Sequence, residues 1–151
     1  MAKKLRIYVD TSTVGGCLDD EFREASVKLM DMFRDGRAVA LLSGLLFQEL
    51  KGAPGKVKQV IKELPDASLE AVSVGEDAER LQSLYLEASV VGGSCANDAL
   101  HVALATVARA DMIVSWNFKH IVHFDKMRGF NAINIREGYA QLSIYSPLEV
   151  V

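Results

Sequence analysis

At 151 residues and 50% hydrophobic, the chain is long enough to bury one substantial core, and no apolar run approaches a bilayer span. A net charge of −3 excludes a general electrostatic footprint for nucleic acid. Binding a polyanion would need a local basic patch and metal ions between carboxylate and phosphate.

The N-terminus, MAKKLRIYVD, runs from two lysines into a strand-like stretch, without the apolar region and cleavage site of a secretory signal. Leu5–Val9 followed by Asp10, Thr11, Ser12 and Gly15-Gly16 predicts a buried central strand breaking into a loop. Phe22, Ala25, Leu29, Met32 and Phe33 share a helical face over Glu21–Phe33, with Gly36 as the stop. Ala38–Leu42 is a second strand. Ser43 caps a helix carrying Leu46, Phe47, Glu49 and Leu50, which GAPG ends at Gly52–Gly55. Val57, Val60, Ile61 and Leu64 mark a further helix before Pro65, and Leu69–Val74 alternates as an edge strand.

Glu76–Val91 has helical periodicity and breaks at Gly92-Gly93-Ser94. A helix over about Asn97–Arg109, a strand over Met112–Trp116 and a helix from about Lys119 follow. Ala132–Ile135 reads as the last strand, and the tail, with Pro147 inside it, as mostly irregular. Cys17 and Cys95 have no metal-type spacing, and no Cys/His partners accompany His120 and His123. Short apolar strands alternating with helices imply a mostly parallel α/β sheet covered on both faces, in a single cytoplasmic domain over residues 1–151. Such sheets bind ligands outside the carboxyl ends of their strands near a topological switch point, which singles out Asp10 and Asn117.

Asp10 ends a strand beside the hydroxyls of Thr11 and Ser12, where it can be a turn or cap residue or a site carboxylate. Asp98 opens a helix; a purely structural carboxylate there contributes about 0.3–1 kcal/mol, and with Asn97 as the cap Asp98 is left to face the crevice. Glu49 is either an ordinary surface residue of an amphipathic helix or a third converging acid. Asn117 is a turn former or, with Ser115, a source of neutral oxygens. His101 flanks Asp98. Oxygen donors of this kind select a hard cation, Mg²⁺ or Mn²⁺, over zinc. Lys119, His120, His123, Lys126 and Arg128 form a basic run, a solvated face that also suits an RNA backbone. Phosphate-loop, dinucleotide and nucleophile-elbow motifs are absent from the sequence.

The ordered set IYVDTSTVGG (Ile7–Gly16), LLSGLLFQEL (Leu41–Leu50), NDALHVALATVARADMIVSWNFKHI (Asn97–Ile121) and the INIREGY…SPLEVV ending resembles the PIN-domain nucleases, and within them the VapC-like toxins of toxin–antitoxin modules. The resemblance covers essentially the whole chain. It implies a three-layer α/β/α sandwich with a parallel five-stranded sheet and an acidic pocket binding Mg²⁺ or Mn²⁺. It also implies hydrolysis of RNA to leave a 5′-phosphate, a homodimer and a small antitoxin that fills the acidic groove. The family's acids fall on Asp10, Glu49 and Asp98. Its fourth position, usually Asp, falls on Asn117, which removes one negative charge. On this reading Asp10 and Asp98 hold the metal, Glu49 orients or deprotonates the attacking water, and Thr11, Ser12 and Ser115 support them. Lys119, His120, Lys126 and Arg128 are the RNA-contacting candidates. A PIN-like module that binds RNA or protein without cutting is the alternative. A phosphotransfer enzyme with Asp10 as nucleophile ranks last, because its second Asp would fall on Ser12.

Overall fold

The computed structural model describes residues 3–151. Strands β1 (Leu5–Val9), β2 (Ala38–Ser43), β3 (Leu69–Val72), β4 (Met112–Val114) and β5 (Ser143–Tyr145) form one all-parallel sheet in the order β3-β2-β1-β4-β5. The chain builds outward from β1 to β2 and β3, then returns to lay β4 on the other side of β1. That reversal puts the switch point between the carboxyl ends of β1 and β4.

Alternation along the strands divides the core into two layers. Tyr8, Leu41 and Ile113 pack with helices α5 (Glu76–Glu87), α6 (Ala96–Val107) and α7 (Phe124–Arg136). Ile7, Val9, Ala40, Leu42 and Val114 face the other layer. That layer comprises α1 (Thr11–Gly16), α2 (Arg23–Arg34), α3 (Gly44–Leu50) and α4 (Gly55–Lys62). Helix α6 is buried continuously from Ala99 to Thr106, which explains why its sequence is small and apolar on every side.

At the amino ends of the strands, Arg6 ties three elements together. Its guanidinium pairs with Glu70 and donates to the carbonyls of Ala108 and Arg109, while its backbone N–H donates to Asp111 Oδ2 at 2.7 Å. The opposite, carboxyl edge is left to the polar residues described next.

Four sequence expectations are corrected. The run after Val9 is the helix α1, with Asp10 as its N-cap, rather than a loop. Ala132–Ile135 lies inside α7: Phe130, Ile133 and Asn134 are buried while Ile135 is exposed, a helical period rather than a strand's. That helix begins at Phe124, not Lys119, because the Asn117 turn precedes it. The fifth strand is instead β5, in the tail expected to be irregular. Ser43 does cap α3, accepting from Leu46 N–H at 3.1 Å, and Gly36 closes α2 with a φ of +73°, a conformation glycine adopts without strain.

Candidate functional site

Asp10 is 4% exposed and its carboxylate is fully engaged. Oδ1 accepts from Ser12 Oγ (2.7 Å), Thr13 N–H (3.1 Å) and Thr13 Oγ1 (3.0 Å), and Oδ2 from Ser115 Oγ at 2.5 Å. Asp10 therefore caps α1 and stands at the switch point. Ser12 Oγ also accepts from Trp116 N–H (3.0 Å), and Thr13 Oγ1 donates to the Val114 carbonyl (3.0 Å). The loop after β4 is thus stitched to the first turn of α1.

Glu49 reaches the same edge from α3. Its side chain is 29% exposed, and Oε1 meets Thr11 Oγ1 at 2.7 Å and His101 Nε2 at 2.6 Å. The hydrogen bond from His101 holds the Glu49 carboxyl below its ordinary range, assisted by Thr11 and opposed by partial burial. His101, only 3% exposed on α6, turns its other nitrogen to Tyr8 OH (2.7 Å), and Tyr8 OH donates to Ser43 Oγ at 2.8 Å. A polar chain, Ser43–Tyr8–His101–Glu49–Thr11, links β2, β1, α6, α3 and α1, buried from Ser43 to His101 and open to solvent at Glu49. The sequence placed His101 beside the site but gave no sign of Tyr8, whose alternation alone marks it as core.

Asp98 lies in the first turn of α6, half-buried. Burial raises its carboxyl above the ordinary range; His120, the Asn117 amide and His101 pull the other way, and Asp10 adds repulsion. The N-cap of α6 is Cys95, not Asn97, and it makes no side-chain capping bond. Asn117 Oδ1 accepts from His120 N–H at 2.9 Å, and its own N–H donates to Ser115 Oγ at 2.9 Å. Its carbonyl oxygen therefore shapes the turn, leaving its amide for Asp98.

Among the described residues, the cluster of His, Cys, Asp or Glu side chains whose ligand atoms lie within 4.8 Å of one another is Cys95, Asp98 and His120. The expectation that no cysteine or histidine accompanies His120 is corrected: Cys95 does, from the neighbouring helix. The all-oxygen set expected from the sequence, Asp10, Glu49 and Asp98, is not drawn together that closely: Asp10 repels Asp98, and His101 acts on both Asp98 and Glu49. Such a set suits a hard divalent cation that keeps several waters. Lys119 is exposed beside His120 on the Asn117 turn. Lys126 sits half-buried on α7, and Arg128 stacks over Phe124 at 5.4 Å, lining a groove with β5 rather than the acidic residues.

Next to Asn117 the chain builds an aromatic wall. Trp116 stacks on Phe22 with centroids 4.3 Å apart, donates its indole N–H to Ser26 Oγ at 2.7 Å, and meets Phe118 edge-on. A cleft of about 390 Å³ opens between this wall and Ser12, Gly15, Gly16, Asp19 and Asn117. Gly16 makes the wall possible: a Cβ there would lie 2.4 Å from Ser26 Oγ and 2.7 Å from Trp116 Nε1. Gly16→Ala is expected to lower stability by about 1–3 kcal/mol and to displace the indole. Urea unfolding with tryptophan fluorescence checks this directly, since Trp116 is the sole tryptophan.

A five-stranded parallel α/β/α sandwich with carboxylates gathered at the switch point defines the class of this chain: it has the PIN-like fold. The chain is similar to solved structures of the VapBC and FitAB kind. It aligns with VapBC from Salmonella typhimurium bound to DNA (TM-score 0.57, 16% identity, 95% of this chain and 98% of that one). It aligns likewise with FitAcB from Neisseria gonorrhoeae (TM-score 0.56, 15% identity, 94% and 98%). VapBC2 from Rickettsia felis bound to a promoter DNA fragment aligns at TM-score 0.55 and 14% identity, over 94% and 98%. At such identities the likeness is one of fold. No family model and no curated protein matches the chain. No helix among the described residues is long and apolar enough to cross a membrane.

Proposed function

We propose that this chain is a divalent-metal-dependent endoribonuclease, the toxin of a VapC-like toxin–antitoxin pair. The observation that carries the reading is Asp98: a half-buried carboxylate whose charge is desolvated and further repelled by Asp10, at the switch-point crevice. A cation is the natural counterweight to that pair. The donor set fits Mg²⁺ or Mn²⁺, with Asp10 and Asp98 holding it; when bound, the ion stabilises charge on the phosphoryl oxygens and lowers the pKa of its water.

The protein's own residues do the rest. Ser12, Thr13 and Ser115 fix the Asp10 carboxylate in one orientation. Glu49, whose carboxyl His101 and Thr11 hold low, would orient or deprotonate the attacking water. Asn117 supplies a neutral donor to Asp98 where the resemblance leads one to expect a fourth acid. His120 acts on Asp98, exposed Lys119 beside it is available to a phosphate, and exposed Phe118 offers an aromatic face on which a base can stack. The cognate antitoxin belongs to the same reading, supported by the VapBC complexes that share the fold, whereas the homodimer rests on the sequence resemblance alone.

Purified protein is expected to cleave single-stranded RNA with Mg²⁺ or Mn²⁺, to stop on chelation, and to resume when either ion is restored. Glu49→Gln is expected to slow cleavage at least about a hundredfold, the equivalent of roughly 3 kcal/mol. Cleavage unaffected by chelation, or equal in the variant, would sink the proposal. A second reading, a module that binds without cutting, is favoured by the commitment of Asn117 Oδ1 to its turn. That reading predicts folded protein that takes up no Mg²⁺ in the millimolar range.

A further inference from the structure

We propose that Cys95, Asp98 and His120 form a second metal site, one for a zinc-class ion, that shares Asp98 with the hard-cation set and so makes the two ions competitors. The ligand atoms of the three side chains already lie within 4.8 Å of one another. Ligands of a tetrahedral zinc stand roughly 3.3–3.7 Å apart, so small rotamer adjustments close the set. Thiolate sulfur, imidazole nitrogen and carboxylate oxygen together suit zinc and do not suit magnesium. Three protein ligands leave a fourth position for water.

The surrounding structure supports the set from both sides. Cys95 and Asp98 are one helical turn apart at the start of α6, hence on one face. Cys95 is the N-cap residue but makes no capping bond; its thiol has only a 3.8 Å contact with Ser94 Oγ. His120 comes from the turn after β4, and its backbone is pinned: its N–H goes to Asn117 Oδ1, while Ile121 and Val122 N–H go to the Asn117 carbonyl at 3.1 and 2.8 Å. Among the described residues the His120 ring enters none of the hydrogen bonds of the site. All three residues are half-buried, reachable by an ion yet partly shielded from water.

Zinc uptake releases the Cys95 thiol proton and leaves Asp98 coordinated to zinc. Asp10 then loses its partner for the hard cation. The consequence, which rests on the nuclease reading, is that zinc inhibits magnesium-dependent cleavage. The site itself does not depend on that reading, and its test needs no activity.

Co²⁺ titration of the purified chain reads the site directly. One equivalent is expected to give a thiolate-to-cobalt charge-transfer band and intense tetrahedral d–d bands, both erased by one equivalent of Zn²⁺. Cys95→Ser should abolish the charge-transfer band, and His120→Gln should weaken Zn²⁺ binding at least about tenfold, with circular dichroism confirming that both variants fold. The other cysteine, Cys17, is buried with its thiol pushed up to about 11, so it does not supply the band. Weak octahedral bands without charge transfer, or parental zinc affinity in Cys95→Ser, would overturn the proposal. In the RNA assay, zinc should inhibit the parent at lower concentrations than it inhibits Cys95→Ser, each against its own zinc-free rate. Absence of cleavage in both would count against the nuclease reading and leave the cobalt spectrum standing.

Discussion

Asp98→Asn is expected to abolish RNA cleavage while leaving the chain at least as stable as the parent, whereas Asp10→Asn is expected to lose both activity and stability. The two acids share a crevice but differ in what their surroundings give them. Four donors converge on Asp10, one of them the fixed backbone N–H of Thr13. An amide at that position turns two hydrogens toward this donor-rich shell, and Ser115 Oγ already accepts from Asn117 N–H. A loss of about 1–3 kcal/mol follows from weakening charge-assisted bonds in a buried site.

Asp98 is the reverse case. Its carboxyl is raised in the folded chain, chiefly by burial. A raised acid binds its proton more readily folded than unfolded, so its favourable contribution is complete below the unfolded value and is lost as pH rises through the folded one. At neutral pH the ionised group therefore opposes folding, offset by about 0.3–1 kcal/mol from the start of α6. Asp98→Asn removes the opposition. Urea unfolding at pH 7 and near pH 4 should show the parent gaining on Asp98→Asn as the solution is acidified. If Asp98→Asn instead unfolds as readily as Asp10→Asn, Asp98 is a structural residue and the metal reading loses its main support.

The second large effect is expected at His101. His101→Leu should destabilise the chain by about 2–4 kcal/mol, although leucine fills much of the same volume. The substitution removes bonds to Tyr8 OH and Glu49 Oε1 together, leaving Tyr8 with Ser43 alone in a buried layer. It also frees Glu49, whose carboxyl His101 holds low. A depressed acid contributes stability above its unfolded value, near pH 4.3, and loses it as pH falls through the folded value. The gap between parent and His101→Leu should therefore be wide at pH 7 and narrower at pH 3, a pattern that mere loss of packing would not produce. Cleavage should fall as well, because Glu49 loses the contact that aims it.

Much of this architecture is legible in the amino-acid order. Four of the strands, the parallel class and the placement of Asp10 and Asn117 at strand ends follow from apolar runs separated by helical periods. The misreading of Ala132–Ile135 has a definite cause. Asn134 is a polar residue buried in the core, where it bonds Tyr85 OH and Thr106 Oγ1, and its polarity disguises the helical stripe. β5 escapes because only Ile144 of its three residues is buried, too short a segment to show alternation. The pairing of Cys95 with His120 is invisible in sequence, since α6, β4 and the turns around β4 separate them. Only Cys95-x-x-Asp98, one helical turn, could have hinted at it. Arg128 belongs to the same basic run as Lys119 in sequence, yet α7 carries it to the β5 groove.

The order of the strands has a further consequence, for the timing of synthesis. β1 is made before β4, one of its two neighbours, and Asp10 waits for Ser115, 105 residues later. At ribosomal rates of about 5–20 residues per second, roughly 5–20 s pass before that partner exists. For most of that interval the nascent chain carries Asp10 on a sheet with one open edge and no Asp98 opposite it. A chain with this topology therefore completes its acidic crevice only once β4 and the turn after it have been made.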